Sequence, residues 1–397
     1  MERHILFKEK KDCCGCGACF NICPKQAITM TEDEYGFVYP EINENLCINC
    51  GLCNKVCFYQ NREESQEVLK TFAAADTNKE RLAISASGGI FASVAANVLK
   101  ASGSVYGCAY EQTDEALLPK HIRITDEKDL IRIQGSKYVQ SDTGIVYTQV
   151  KEDLKTGIPV LFTGTPCQVA GLYGFLIGQD YPNLYTIDII CHGVPNARMF
   201  NDYLKVLDKR LGGRVTDFRF RDKANGWGLT AKIVYEKNGH EEVTIFNHEH
   251  SSYYGLFMKS SIYRENCYSC KYACSHRVGN LTVGDFWGIE KEHPEYLKQN
   301  GGRITLSDGV SCIMVNNEHG EQLINKFGNE IIIENSDFNK AAIANTQLRE
   351  PSERNLQREV ILENYRNKGY VFLDKQFNRQ MFFFRIRRKL RKILLRR

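Results

Sequence analysis

The stretch that decides the fold runs from residue 13 to residue 24 and reads CCGCGACFNICP. Four of its cysteines follow the spacing C-x2-C-x2-C-x3-C, namely Cys13, Cys16, Cys19 and Cys23. The spacing returns once further along the chain, at Cys47, Cys50, Cys53 and Cys57. Nine of the 16 cysteines therefore fall between residues 13 and 57. Such close neighbours favour a shared metal cluster over disulfides, which are typical of small secreted domains.

The duplicated run, with Pro24 after its first copy, matches the bacterial ferredoxin pattern of two 4Fe–4S clusters. Three cysteines of each run bind one cluster and the fourth binds the other, which predicts two ligand sets. The first set is Cys13, Cys16, Cys19 and Cys57, and the second set is Cys47, Cys50, Cys53 and Cys23. Zinc also takes four cysteines, but the duplicated run argues against it. Phe58 replaces the second proline, and Cys14 is left without a predicted role.

Composition describes a globular chain rather than a disordered or membrane-spanning one. The 397 residues are 43% hydrophobic and 25% charged, and at about 150 residues per domain they predict two or three domains. No apolar run reaches the length of a membrane span or of a signal peptide. We therefore expect a cytoplasmic protein.

Beyond residue 71 the chain alternates between strand and helix patterns. Strands are predicted at 72–75, 105–110, 121–124, 159–162 and 184–190, and an antiparallel pair at 215–221 and 229–235. Helices are predicted at 87–100, at 142–155 and after the turn that ends at Cys167. Residues 27–30 and 37–40 form a predicted hairpin between the two cysteine runs. The pattern indicates an α/β sheet with some parallel strands.

Four further cysteines are candidates for a third metal centre. Cys167 and Cys191 each follow an apolar strand, so parallel neighbours would bring both thiols to the carboxyl edge of the sheet, where α/β proteins bind ligands. Cys267-x2-Cys270 can complete a four-ligand set, and Cys274 continues the same spacing. The alternative is that these cysteines are simply buried.

Six short motifs then occur in order. They are Ser87-Gly88-Gly89, Gly135-Ser136-Lys137-Tyr138, Gly164-Thr165-Pro166-Cys167-Gln168, Cys191-His192-Gly193-Val194-Pro195, Cys267-Tyr268-Ser269-Cys270 and Gly284-Asp285-Phe286-Trp287-Gly288. Together with the ferredoxin runs, the series resembles the beta subunit of coenzyme F420 (deazaflavin) hydrogenase/dehydrogenase. It is most similar to the branch with a fused N-terminal ferredoxin, often found among polysaccharide-biosynthesis genes. The resemblance covers residues 10–290.

The resemblance implies FAD and, beside it, a third 4Fe–4S cluster on Cys167, Cys191, Cys267 and Cys270. The chain has neither GxGxxG nor GxxxxGK[ST], so a Rossmann or P-loop site is not supported. Ser87, Gly88 and Gly89 at a helix start suit a pyrophosphate, although an ordinary capped helix has the same pattern. Lys137, within the motif of Gly135, Ser136 and Tyr138, is then a cation for the phosphates or the flavin edge, or else a solvated lysine.

The remaining motif residues are assigned by their position in the resemblance. His192, next to a predicted ligand, is a candidate proton donor to a substrate or flavin, or a hydrogen-bond partner of the cluster. Asp285 and Trp287 are expected to shape the cluster and flavin pocket. Trp227 is either a pocket wall or a packing residue.

The last 17 residues form a basic amphipathic pattern. Residues 381–397 contain eight Lys and Arg and no acid. One helical stripe holds Phe382, Ile386, Leu390, Ile393 and Leu394, and off it lie Arg385, Arg388, Arg391 and Lys392. This pattern predicts a peripheral anchor on the inner, anionic face of a membrane; a solvated or partner-bound helix is the alternative. Nucleic acid is not expected, because no recognition fold accompanies the tail.

Taken together, the sequence predicts an α+β/α/β protein in four parts: a two-cluster ferredoxin domain (1–62), a linker (63–70), an FAD and 4Fe–4S domain with a mixed sheet (71–345), and a helical region with the basic tail (346–397). The first functional hypothesis is an iron–sulfur flavoprotein that passes electrons from an external ferredoxin-type donor to a small organic substrate, such as a nucleotide-linked sugar. The second is an electron-transfer subunit that exchanges electrons with a deazaflavin coenzyme or a partner protein. A third is a binding protein whose clusters are structural or regulatory.

Overall fold

The fold is taken from a computed structural model that describes residues 5–61, 66–113, 115–177 and 179–394, with residues 389–394 described by their backbone alone. The strands are β1 Ile28–Glu32, β2 Val38–Ile42, β3 Lys70–Asp76, β4 Ser104–Gln112, β5 Leu117–Ile124, β6 Val160–Gly164, β7 Leu184–Ile189, β8 Arg214–Arg219, β9 Thr230–Lys237, β10 His240–Asn247, β11 Leu281–Asp285, β12 Ser311–Val315 and β13 Ile331–Ser336.

The helices are α1 Ala18–Ile22, α2 Leu52–Lys55, α3 Phe58–Asn61, α4 Lys79–Ala83, α5 Ile90–Lys100, α6 Leu130–Ile133, α7 Val146–Lys155, α8 Pro166–Phe175, α9 Ala197–Leu211, α10 Ser252–Met258, α11 Ile289–Glu292, α12 Glu318–Phe327, α13 Phe338–Ile343 and α14 Arg358–Leu394. None of the described helices combines the length and the hydropathy that a membrane-spanning segment requires.

The central feature is an eight-stranded mixed sheet in the order β13-β3-β12-β11-β7-β6-β4-β5. Strands β4, β6, β7 and β11 run parallel to one another, and the remaining pairs are antiparallel. The parallel strands are apolar on both faces because helices cover both. Helices α5 and α12 pack on one face and α7 and α8 on the other. The predicted α/β sheet with parallel strands is therefore confirmed.

Most predicted elements are present, with one shifted start. Strands at 72–75, 105–110, 121–124, 159–162 and 184–190 all lie within the sheet, and the pair at 215–221 and 229–235 is antiparallel. The helix predicted from residue 142 begins instead at Val146. Asp142 Oδ1 accepts the Gly144 N–H in a turn, and Gly144 has a φ of 45°, so the chain turns once before the helix starts.

The cysteine-rich segment forms a small unit built around the predicted hairpin of β1 and β2, which are antiparallel. Helices α1 and α2 both begin after a glycine with positive φ, Gly17 at 79° and Gly51 at 71°. This unit is packed against the sheet domain. Thr143 Oγ1 donates to the Cys16 carbonyl at 2.9 Å, and Asn21 Nδ2 donates to the Gly144 carbonyl at 2.7 Å. The ferredoxin unit is thus fixed to the turn that precedes α7.

A second layer holds a three-stranded sheet, β10-β9-β8, and an aromatic core. Helices α9, α10 and α14 pack into that core. Helix α14 contains a kink at Gly369, with φ 73° and ψ 173°. Its backbone continues through the predicted tail to residue 394, and residues 395–397 lie outside the described chain. Residue 62 and residues 63–65 of the predicted linker also lie outside it, and Lys70 already begins β3.

Candidate functional site

The first cysteine set comes together at the contact between the ferredoxin unit and the sheet domain. Its four members are Cys13, Cys16, Cys19 and Cys57. Burial raises the pKa of the Cys19 thiol well above its usual value, and the other three sulfurs raise it further. Helix α1 supplies Cys19, and the loop before it supplies Cys13 and Cys16. Four thiols close enough to influence one another's charge are what one cluster needs.

The second set surrounds a small cavity near the molecular surface. Cys23, Cys47, Cys50 and Cys53 line it together with Pro24 and Gly51. Backbone amides point at the sulfurs: Ala27 N donates to Cys23 Sγ at 3.3 Å, and Asn49 N donates to Cys47 Sγ at 3.5 Å. Cys50 is exposed, and so are the neighbouring Leu46 and Ile48. This set therefore opens toward solvent.

The third set lines one buried cavity. Cys167 lies in α8 directly after β6, and Cys191 follows β7. Because β6 and β7 are parallel neighbours, both thiols reach the carboxyl edge of the sheet, as predicted. The turn that contains Cys267 and Cys270 closes the cavity from the other side. The four predicted thiols are thus brought together; their role as ligands stays a prediction.

Cys14 is the fifth thiol on this cavity. It is 4% exposed and packs in one cluster with Cys16 and Cys167. The hydrogen bond from Cys14 lowers the pKa of Cys167 to about 7, against the opposing effect of burial. The sequence analysis assigned no role to Cys14 because it falls outside the C-x2-C-x2-C-x3-C spacing, and that spacing does not show which distant side chains it contacts. The fold places it between the first and third sets.

The other cysteines lie apart from these sets. Cys274 donates to the carbonyls of Lys271 and His276 and does not line the cavity. Cys108 and Cys312 are in β4 and β12, where burial raises the pKa of each. Within the described ranges, no three His, Cys, Asp or Glu side chains converge as they would around a single metal ion.

The turn predicted to hold a pyrophosphate is closely packed. Gly88 and Gly89 are buried, and the Gly88 N–H donates to Ser311 Oγ at 2.9 Å. The Ser87 carbonyl accepts from Lys223 Nζ at 2.7 Å. A Cβ at Gly88 would lie 2.6 Å from Ser311 N. Neighbouring strands thus occupy the space around this helix start, and its contact with a phosphate stays a prediction.

The motif at 135–138 borders a different cavity, of about 280 Å³. Gly135, Ser136 and Lys137 line it, together with the cations Arg132, Arg219 and Arg221 and the single acid Asp217. Burial lowers the pKa of Lys137, whose Nζ donates to the Gln134 carbonyl at 3.0 Å. Tyr138 does not line the cavity; its ring stacks on Phe257 with centroids 4.4 Å apart. The cavity is electropositive and close in size to small-molecule sites of about 300–1,000 Å³.

Asp285 anchors a polar cluster between the two cavities. Its carboxylate accepts from Arg221 at 2.7 Å and 3.0 Å and from Trp227 Nε1 at 2.8 Å. The rings of Trp227 and Trp287 are stacked, with centroids 4.6 Å apart. His192 lines the third cysteine cavity; burial lowers its pKa and nearby Asp285 raises it. Arg221, which the sequence analysis did not single out, lines the cation-rich cavity and is paired with Asp285.

Two family models match this chain, one in the sheet domain and one in the ferredoxin unit. Residues 159–341 match the family model for the C terminus of the coenzyme F420 hydrogenase/dehydrogenase beta subunit. Residues 12–61 match the model for a 4Fe–4S dicluster domain.

Two individual proteins are also similar to this chain. An uncharacterised ferredoxin of Methanocaldococcus jannaschii is 37% identical over 52 residues, which are 13% of this chain and 66% of that protein. The match thus spans just under two thirds of the ferredoxin. A solved structure of the F420-reducing NiFe hydrogenase complex from Methanosarcina barkeri covers 81% of this chain and 92% of its own, at 14% identity and a TM-score of 0.42.

Proposed function

We propose that this chain passes electrons through three clusters to a flavin. The premise is that its two parts match the models for a 4Fe–4S dicluster domain and for the C terminus of the coenzyme F420 hydrogenase/dehydrogenase beta subunit. The dicluster domain makes it an iron–sulfur electron-transfer protein. The third cluster and the flavin are the proposed additions. The observation that carries the proposal is the position of Cys14, which lines the third cavity and packs in one cluster with Cys16 of the first set and Cys167 of the third.

The three sets suggest an order for the electrons. The second set is nearest to solvent, with Cys50 exposed, and is the entry point for a ferredoxin-type donor. The first set lies against the sheet domain and adjoins the third through Cys14. The third set is buried at the carboxyl edge of β6 and β7. Electrons from a soluble donor therefore enter at the second set and leave the chain of clusters at the third.

The cation-rich cavity is the proposed flavin site. Its lining holds four cations, Arg132, Arg219, Arg221 and Lys137, and one acid, Asp217. Arg132, Arg219 and Arg221 are paired with Asp129, Asp217 and Asp285, which leaves Lys137 as the cation of this lining without a carboxylate partner among the described residues, to meet phosphates or a negatively charged flavin edge. FAD bound there supplies the exchange between one-electron and two-electron transfer. In this proposal Lys137 provides a buried positive charge, and Arg221 is held in place by Asp285.

The destination of the electrons has two candidates. The family favours an electron-transfer subunit that exchanges electrons with a deazaflavin coenzyme or a partner protein. The second candidate is a reductase of a small organic substrate, such as a nucleotide-linked sugar used in polysaccharide assembly. His192 favours the second, because its imidazole lines the cysteine cavity and is exposed, where it could give a proton to a substrate.

We further propose that the tail binds the inner face of an anionic membrane. Phe382, Phe383 and Phe384 are each at least half exposed. Next to them, Arg385 and Arg388 hold the helix to the body through Glu249, and Arg388 lies 5.7 Å from the centroid of the Phe384 ring. Exposed aromatic rings next to a run of cations suit an anionic lipid surface.

The test is anaerobic purification followed by assays of iron, sulfide and flavin. The proposal expects about twelve irons, four for each cluster, and one FAD per chain, with every centre reduced by dithionite in optical and EPR spectra. About eight irons and no flavin would overturn the third cluster and the flavin site. Reduction of a deazaflavin by the purified chain would favour the first destination, and turnover of a nucleotide sugar without a partner would favour the second.

A further inference from the structure

Arg264 is a fully buried cation at the contact between the ferredoxin unit and the sheet domain. Its side chain is 0% exposed. The guanidinium donates to the Cys13 carbonyl at 3.1 Å, to the Val38 carbonyl at 2.8 Å and to Gln140 Oε1 at 3.3 Å. It also lies 4.0 Å from the centroid of the Tyr39 ring. All of these partners are neutral, although a guanidinium always carries its charge.

A buried charge without a counter-charge is costly, so buried cations are normally paired. The four other arginines that are buried in the described part of the chain follow this rule: Arg81 pairs with Asp76 at 2.6 Å, Arg221 with Asp285 at 2.7 Å, Arg277 with Asp188 at 2.9 Å and Arg358 with Glu265 at 3.0 Å. Arg264 has no carboxylate partner among the described residues. The anion that balances it must come from another source.

Cysteine sulfurs lie close enough to neutralise the positive charge of Arg264. Its Nη2 atom is 3.9 Å from Cys13 Sγ, a member of the first set. Its charge also reaches Cys167 and Cys267 of the third set. Thiolates bound to iron carry the negative charge that the described carboxylates do not supply here.

We propose that Arg264 is a positioning residue that provides the positive charge shared by the first and third clusters and so favours their reduced forms. The proposal rests on the function proposed above. A cluster held by the first set would gain one negative charge on one-electron reduction by a ferredoxin-type donor, and a fixed cation beside Cys13 in a medium of low dielectric would stabilise that charge. The same cation would act on a cluster held by the third set.

The test compares Arg264→Gln, which removes the charge and keeps donors, with Arg264→Lys, which keeps the charge. Arg210→Met is the matched control, because it removes the partner of the buried Asp374 far from the cysteines. Each protein is purified anaerobically, its iron is measured, and each cluster is titrated by EPR-monitored reduction. We expect R264Q to disfavour reduction of the first cluster at least tenfold, which for one electron is about 59 mV. We expect R264K and R210M to stay near the wild type.

The outcomes separate this inference from the function it rests on. If the wild type lacks reducible clusters, the proposed function fails before any variant is compared. If R264Q retains its iron and its potentials match the wild type, the charge-sharing role is wrong. If R264Q loses iron while R264K keeps it, the charge is required for assembly and the inference stands. If both lose iron and R210M does not, Arg264 acts by packing, and the inference is overturned.

Discussion

At the residue scale, position in the fold separates cysteines that look alike in sequence. Cys267, Cys270 and Cys274 share a metal-site spacing, yet only the first two line the third cavity. The thiol of Cys274 instead satisfies the carbonyls of Lys271 and His276. The turn at 265–269 and the residues that follow it decide which of these sulfurs reach the cavity, and the spacing alone does not show this.

This difference gives a paired prediction about iron content. Cys267→Ala is expected to lose about four irons per chain, one whole cluster, because a buried ligand is removed. Cys274→Ala, in the same loop, is expected to keep all of them. Iron and sulfide assays on anaerobically purified proteins measure both. Equal iron in the two variants would contradict the assignment of Cys267 to the third set.

A second residue-scale prediction concerns acid stability. Burial lowers the pKa of His121 to about 4; its ring nitrogens bond to the Thr163 carbonyl at 3.0 Å and to Ser141 Oγ at 2.9 Å. An unfolded histidine titrates near 6.5, so as the pH falls the unfolded chain binds the proton first. The free energy of unfolding should therefore decrease between about pH 6.5 and pH 4, by roughly 3 kcal/mol in all.

His121→Gln should reduce that pH dependence, because glutamine does not titrate. Chemical denaturation of the wild type and the variant across this pH range measures the difference. His240→Gln, at an exposed histidine, is the control and should retain the wild-type slope. Parallel curves for the wild type and H121Q would show that His121 is not the group responsible.

At the element scale, the start of α5 is fixed by close packing against β3 and β12. A Cβ added at Gly88 would meet the Ala74 carbonyl and lie 2.6 Å from Ser311 N, both backbone atoms that cannot rotate away. The chain therefore requires a glycine here whether or not a phosphate binds.

Gly88→Ala is expected to lower the free energy of unfolding by about 1–3 kcal/mol, the usual cost of overpacking. Gly228→Ala is the matched control, since a Cβ there meets no atom within 4 Å and the backbone needs no positive φ. Denaturation of both variants checks the prediction. A Gly88→Ala protein as stable as the control would mean that the turn is open enough to accept a ligand.

At the scale of the whole molecule, the tail is the part that faces outward. Helix α14 packs into the aromatic core through residues such as Tyr370, Leu373 and Phe377. Beyond Met381 its phenylalanines become exposed. The helix thus changes from a packing element to a surface element along its own length.

Removing the exposed aromatics should weaken membrane binding. The double variant Phe382→Ser/Phe383→Ser is expected to sediment several-fold less with phosphatidylserine vesicles than the wild type, because apolar area and charge act together at such surfaces. Val360→Ser, an exposed residue on the same helix before the kink, is the control. Binding should also weaken as salt rises. If the wild type does not sediment with phosphatidylserine vesicles, the proposed membrane role is wrong.

The sequence by itself determined the ferredoxin unit and the parallel strands. Both follow from local regularities: the repeated cysteine spacing, and apolar runs such as 159–162 and 184–190, whose ends place Cys167 and Cys191 at one edge. Strands β11–β13 were not predicted, because their pairing partners lie far away in sequence and their own patterns are short. Strand β10 was also missed, although it follows β9 through the turn Asn238-Gly239, a local hairpin signal.

Only the tertiary structure decided what lies between the cysteine sets. Cys14 and Arg264 are separated by 250 positions, and neither belongs to a motif, yet both lie where the ferredoxin unit contacts the sheet domain. The same holds for Arg221, which meets Asp285 across 64 positions. Spacing can predict which residues close together in sequence bind the same cluster. The juxtaposition of a buried charge with distant thiols depends on how two separately patterned units pack, and that is decided by the whole chain.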